Sequence, residues 1–269
     1  GPSRSKREYV PFDGAGVWRG SLPRAGLYTA HVNSPSAGRA EAYLTSPTPE
    51  EVHAGYNMLY EVRYGEGERR IVGGSRFGTL CIYTAGASEL DYPFRRNMAV
   101  DGDRRILRHP SVRSTPIGYP DERSGGSGLI VGGECALYYY RFAGEFSAAG
   151  DPVYMAPRPV LERGAKLYAG SLPVPNVVDW DGDRLPDIVA GNSEGRVLFF
   201  RNIGVPGKPS FAPGEPVYAG GREIHVQPGY GGDIQGPWEA RWGYTCPAVA
   251  DWSGNGLPDI LMNDSTARH

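Results

Sequence analysis

Across 269 residues the chain carries 40% hydrophobic and 22% charged residues and a net charge of -2, the balance of an ordinary globular protein rather than of a disordered or membrane-spanning one. The near-neutral charge and a pI of 6.3 also argue against a general affinity for nucleic acid. With 39 glycines, 24 prolines and 17 tyrosines and no sustained helical periodicity, the composition predicts a turn-rich, all-β protein.

In chain order, residues 1–7 are polar and basic and hold no apolar signal core, so an exported form would have shed its signal. Residues 1–44 are expected to be N-terminal strands belonging to a closing blade. From residue 45 the chain repeats itself. Ile71-Val-Gly-Gly-Ser-Arg-Phe-Gly-Thr-Leu-Cys-Ile-Tyr, Ile130-Val-Gly-Gly-Glu-Cys-Ala-Leu-Tyr-Tyr-Tyr and Ile188-Val-Ala-Gly-Asn-Ser-Glu-Gly-Arg-Val-Leu-Phe-Phe each read as strand, tight turn, strand, and Ile260-Leu-Met begins a fourth. The isoleucines recur at intervals of roughly 60 to 70 residues, too long for a leucine-rich or ankyrin unit and suited to one four-stranded propeller blade with long outer loops. Repeat boundaries fall near 45–105, 106–165, 166–240 and 241–269. The expected fold is an all-β propeller of about seven blades when complete, with this chain supplying about three and a half. An open stack would expose an unpaired strand, so a second chain or chain fragment that completes the ring is an expected partner.

Two loops are written almost alike: Asp179-Trp-Asp-Gly-Asp-Arg-Leu-Pro-Asp187-Ile and Asp251-Trp-Ser-Gly-Asn-Gly-Leu-Pro-Asp259-Ile. Oxygen-bearing side chains stand at the first, third, fifth and ninth places, a spacing that turns alternate side chains toward one hard cation. Calcium suits such an all-oxygen set. The expected ligands are Asp179, Asp181, Asp183, Asp187 and the Leu185 carbonyl in the first loop, with Gly182 permitting the tight turn. In the second they are Asp251, Ser253, Asn255, Asp259 and the Leu257 carbonyl, a weaker site because it has fewer carboxylates. Each loop runs into an apolar strand rather than a helix, which sets it apart from an EF-hand. Cys81, Cys135 and Cys246 are odd in number and lack a CxxC, so they are read as buried thiols rather than a disulfide framework or zinc site.

In a propeller, the loops leading into each innermost strand and the turns between second and third strands share one face around a central channel, and the first-to-second connections lie on the other. The metal loops are first-to-second connections. Calcium is therefore expected to be structural, and ligands are expected at the opposite mouth. Lead-in loops bring His53 to repeat one, His109 and Arg113 to repeat two, and His225, Tyr230, Trp238, Glu239, Arg241, Trp242 and Tyr244 to repeat four, whose lead-in is the longest. Long insertions on a compact scaffold are usually functional or disordered.

The two acidic loops resemble the FG-GAP or VCBS repeat of integrin α-chain propellers and of secreted bacterial and fungal propellers. The segment Ile234-Gln-Gly-Pro-Trp-Glu-Ala-Arg-Trp-Gly-Tyr-Thr-Cys-Pro, directly before the second loop, resembles rhamnosyl-glucuronate lyases and, more distantly, ulvan lyases. The resemblance implies a secreted, periplasmic or cell-surface polysaccharide lyase that cleaves beside a uronic acid by β-elimination. Such a reaction needs a group to neutralise the carboxylate, a base to remove the adjacent proton and an acid for the departing oxygen. Arginine matches a carboxylate with its planar fork, which nominates Arg113 and Arg241. Histidine or tyrosine can move the protons, which nominates His53, His109, His225, Tyr230 and Tyr244. A non-catalytic, lectin-like propeller is the alternative, since a fold does not imply activity. A glycoside hydrolase ranks lower, because Glu239 has no sequence-marked carboxylate partner.

Overall fold

A computed structural model describes residues 13–15, 17, 19, 26–29, 42–45, 56–65, 67–85, 94–121, 126–134, 136–227 and 242–263. These fall in two compact parts, Gly1–Ala54 and Gly55–His269. In the first part, β1 (Tyr28–Thr29) pairs antiparallel with β2 (Ala42–Tyr43). The Leu27 amide donates to the buried Thr45 hydroxyl at 2.6 Å.

The second part is built from meanders, each strand antiparallel to the one before. Repeat one is β3 (Tyr56–Tyr64), β4 (Glu68–Ser75), β5 (Leu80–Ala85) and β6 (Phe94–Met98). Repeat two is β7 (Thr115–Asp121), β8 (Gly126–Gly132) and β9 (Tyr138–Tyr140). A hairpin of β10 (Phe142–Phe146) and β11 (Pro152–Tyr154) precedes its fourth strand, β12 (Arg158–Pro159), which pairs with β9. The hairpin β13 (Leu161–Glu162) and β14 (Ala165–Lys166) leads to repeat three: β15 (Val174–Val178), β16 (Asp187–Gly191), β17 (Val197–Phe200) and β18 (Glu215–Pro216). After the hairpin β19 (Tyr218–Ala219) and β20 (Arg222–Glu223), repeat four contributes β21 (Cys246–Ala250) and β22 (Asp259–Asn263). One pairing, Tyr64 with Gly126, joins repeats one and two into an eight-stranded sheet. Among the described residues there is no helix, and none is long and apolar enough to cross a membrane. The architecture is all-β, and its antiparallel meanders fit a β-propeller-like class.

The repeats pack face against face, which explains why their second strands read as continuous apolar runs rather than alternating ones. Leu129 and Val131 of β8 join Val62, Val72 and Ile82 in one core between repeats one and two. Ile130, between them in sequence, points the other way into a second core with Ile188, Ala190 and Phe200 of repeat three. Val189 then enters a third core, flanked by Trp180, Val249 and Ile260. Both faces of a middle strand are buried, so period-two patterning gives way to solid hydrophobicity. Tyr140 of β9 is structural: it is fully buried, and its hydroxyl donates to the Arg108 carbonyl at 2.9 Å.

One contact recurs at every junction. The last glycine of each second strand, Gly74, Gly132 or Gly191, lies against the carbonyl of the residue leading into the next repeat, Ser114, Pro173 or Thr245, so close that a Cβ would collide with it. Two of these lead-in residues add a hydroxyl clamp. Ser114 Oγ accepts the Ser75 amide at 2.9 Å and donates to Thr79 O at 3.0 Å. Thr245 Oγ1 accepts the Asn192 amide at 3.0 Å and donates to Arg196 O at 2.6 Å. The same packing operator thus relates repeat one to two, two to three and three to four.

Candidate functional site

Beyond Val178 the chain leaves β15 and turns back at Asp187, the first residue of β16. The turn is held by its own carboxylates: Asp179 accepts the Gly182 and Arg184 amides at 2.9 and 3.0 Å, and Asp183 accepts the Leu185 amide at 2.8 Å. Left-handed backbone at Gly182 and Arg184, φ 80° and 71°, lets the loop double back. Asp187 is fully buried and accepts the Trp180 amide at 3.0 Å and the Asn202 amide at 2.7 Å. Burial pushes its carboxyl above the usual range, the two amides oppose this, and the Asp181 and Asp183 charges add to the rise.

Oxygens of Asp179, Asp181 and Asp187 lie within 4.8 Å of one another, a group able to hold a metal ion. The donors are all hard oxygen, which fits a calcium-like cation and not a soft one. Asp183 stands outside this trio and faces Arg201, whose Nη2 is 3.6 Å from it while Nε is 2.6 Å from Asp181. Arg201 is 54% exposed on its side chain, so it can yield to a cation.

The second loop reproduces the backbone of the first. Asp251 accepts the Asn255 and Gly256 amides, Asn255 accepts the Leu257 amide, and Asp259 accepts the Ser253 amide at 2.8 Å. Gly254 and Gly256 have φ 71° and 83°, matching Gly182 and Arg184. The Ser253 amide, followed by its hydroxyl, holds the Asp259 carboxyl below the usual range. With only Asp251 and Asp259 as carboxylates, this loop is the poorer site.

At the other end of the same strands lies a cavity of about 350 Å³. The strand register makes Thr115, Val174 and Cys246 equivalent positions, paired with Gly132, Gly191 and Asn263, and all three line this cavity. Two residues earlier stand Arg113, Leu172 and Tyr244, which line it too and share left-handed backbone at φ 59°, 53° and 49°. For side chains of this size that conformation is uncommon and costs about 1–3 kcal/mol each. The first strands of three successive repeats therefore converge on one opening, each presenting a side chain from a strained lead-in residue. The five-residue β15 separates it from the acidic loop by roughly 15 Å of strand rise, so the cation group and the cavity occupy opposite ends. Asn192 and Ser193, from the turn between β16 and β17, complete the lining.

The residues expected to be catalytic separate clearly. Arg113 and Tyr244 come together in the cavity, and the Trp242 ring stands edge-on to Tyr244 at 5.9 Å. His109 does not join them. It is 1% exposed, its Nδ1 accepts the Ser111 amide at 3.0 Å, and its Nε2 lies 2.9 Å from the Ala136 carbonyl. Both nitrogens are used by the fold, and burial holds its pKa below the usual value; its surroundings give it a structural task. His225 is exposed and bridges Arg196 after the third repeat's turn, and it is not among the cavity's lining residues. His53, Tyr230 and Arg241 lie outside the described residues, as do Trp238, Glu239 and Cys135. Cys81 is buried as expected, but Cys246 is exposed because its position faces the opening. The lead-in signature was not read from sequence, though its signal is present in Arg113-Ser-Thr-Pro116, Leu172-Pro-Val-Pro175 and Tyr244-Thr-Cys-Pro247. A scan against protein-family models finds no match to this chain, and a search of curated proteins finds none either.

Proposed function

We propose that this chain forms part of a secreted, calcium-braced β-propeller of the FG-GAP or VCBS type that cleaves a uronate-containing glycan by β-elimination at the mouth opposite the calcium loops. The observation that carries the reading is the convergence of three equivalent lead-in positions on one cavity that holds Arg113 and Tyr244. In the reaction, Arg113 pairs with the uronate carboxylate and makes the adjacent C–H acidic. A base takes the proton of that C–H bond, the electron pair left behind forms the C=C bond, and the glycosidic C–O bond breaks as an acid protonates the departing oxygen. Tyr244, in the cavity lining, exchanges a proton there. Calcium, held by Asp179, Asp181 and Asp187, fixes the first and second strands of repeat three in register and stays remote from the sugar. A second chain or chain fragment closes the ring.

A non-catalytic lectin-like reading draws on the Trp242–Tyr244 pair, an aromatic platform beside the cavity. Among the described lining residues there is no carboxylate, which leaves the hydrolase reading without the pair it needs. Mass analysis of products separates the three. Elimination yields a chain end one water lighter than hydrolysis would, and binding alone yields no shorter chains.

A further inference from the structure

We propose that the mouth extends into a second anion-recognising subsite, an arginine and phenylalanine platform on repeat one, and that the glycan carries anionic groups on more than one of its sugars. This rests on the reading of the cavity as a uronate site and names the class of chain it takes. The platform is the turn between β4 and β5 together with the lead-in to β7. Arg76 and Phe77 form the tip of the turn and are exposed, Phe77 by 50%. Arg108 reaches the same tip, its Nη2 donating to the Phe77 carbonyl at 2.6 Å. The Arg113 amide donates to Arg76 O at 2.9 Å, so the residue that lines the cavity also borders the platform. Among the described residues, none of Arg76, Arg108 and Arg113 forms an ion pair.

The turn itself does not require these side chains. Repeat three makes the same turn with the same left-handed glycine, Gly195 matching Gly78, both at φ 83°, and there Ser193 and Glu194 stand where Arg76 and Phe77 stand in repeat one. The corresponding stretch of repeat two carries Glu134. Among the described residues, only repeat one presents a cationic and aromatic tip, on the face that bears the cavity. An exposed ring flanked by guanidinium groups fits the apolar face of a sugar whose carboxylate or sulfate is held by the arginines.

The test uses glucuronate homo-oligosaccharides, a disaccharide and a hexasaccharide, titrated calorimetrically into the calcium-loaded protein and into Arg76→Gln, Phe77→Ala and Arg76→Gln/Arg108→Gln variants whose melting is checked first. The wild type is expected to bind the hexasaccharide about tenfold more tightly than the disaccharide, a gain equal to 1.4 kcal/mol. The double variant should lose that gain while disaccharide binding stays unchanged, and Arg76→Gln, which replaces one exposed side chain, should lose part of it. Unchanged hexasaccharide binding in all three variants, with disaccharide binding lost in an Arg113→Gln variant titrated beside them, overturns the platform and leaves the cavity reading standing. No binding of either oligosaccharide by the wild type overturns both. A sulfated hexasaccharide in parallel reports which anion the platform prefers.

Discussion

Replacing Gly191 with alanine tests the junction between repeats three and four. The new methyl carbon would lie 2.5 Å from Pro247 Cδ and nearer still to the Thr245 carbonyl oxygen, against an ordinary carbon–carbon contact of roughly 3.5–4.0 Å. Neither neighbour can swing aside, since one is a proline ring and the other is main chain, so repeat four must shift bodily by about an ångström. That shift would stretch the bonds from the Asn192 amide to Thr245 Oγ1 and from Thr245 Oγ1 to Arg196 O, 3.0 and 2.6 Å long. Overpacking costs about 1–3 kcal/mol, and each weakened bond adds up to about 1 kcal/mol. The expected loss is about 2–4 kcal/mol, read as a lower urea midpoint at unchanged m-value. Gly102→Ala is the control: a Cβ there meets nothing within 4 Å, and the change should lie within about 0.5 kcal/mol of neutral. If Gly191→Ala also proved neutral, or both variants lost equal stability, the recurring glycine–carbonyl contact would not be what sets the spacing of the repeats.

Calcium at about a hundred times its dissociation constant should raise stability by about 2.7 kcal/mol per site, and Asp187→Asn should remove the share due to the first loop, as thermal melts with calcium and with chelator would show. Thr245→Val should cost about 1–3 kcal/mol because the Asn192 amide loses its acceptor in a buried place, whereas Thr245→Ser should stay close to wild type in the same melts. Burial holds the His109 pKa below its unfolded value of about 6.5. Between those two values the unfolded chain binds more protons than the folded one, so stability falls as pH drops through about 6.5 and levels off below the folded pKa. Denaturation midpoints across that window should slope in the wild type, and His109→Gln should flatten its contribution.

Much of this was legible in the sequence because repetition constrains both strands and loops. The runs at Ile71, Ile130 and Ile188 marked second strands, turns and third strands, and the acidic loops marked the connections between first and second strands. The short hairpins β10–β11, β13–β14 and β19–β20 were not foreseen, since elements of two to five residues leave no periodic trace. A histidine in a loop says nothing of its burial, and only the packing of Gly133 against the His109 ring and the use of both nitrogens reveal its place in the fold. Cys246 was read as buried because thiols usually are, but register placed it at an opening. The triple Arg113, Leu172 and Tyr244 escaped notice because the residues differ in chemistry and share only a backbone conformation and a proline three residues later. Spacing alone ranks Asp183 with its neighbours, whereas the carboxylate group that the fold draws together is Asp179, Asp181 and Asp187, with Arg201 beside both Asp181 and Asp183.

The most direct test of the account follows the ultraviolet absorbance of unsaturated uronate as calcium-loaded protein is incubated with uronate-bearing glycans, beside Arg113→Gln and Tyr244→Phe variants of matched melting temperature. The account predicts a rise with the wild type that falls about a hundredfold or more when either cavity residue is replaced. A rise that survives both substitutions would contradict it by placing the chemistry elsewhere. No rise with any glycan, while binding still depends on Arg113, would leave a cavity that recognises the sugar without breaking it.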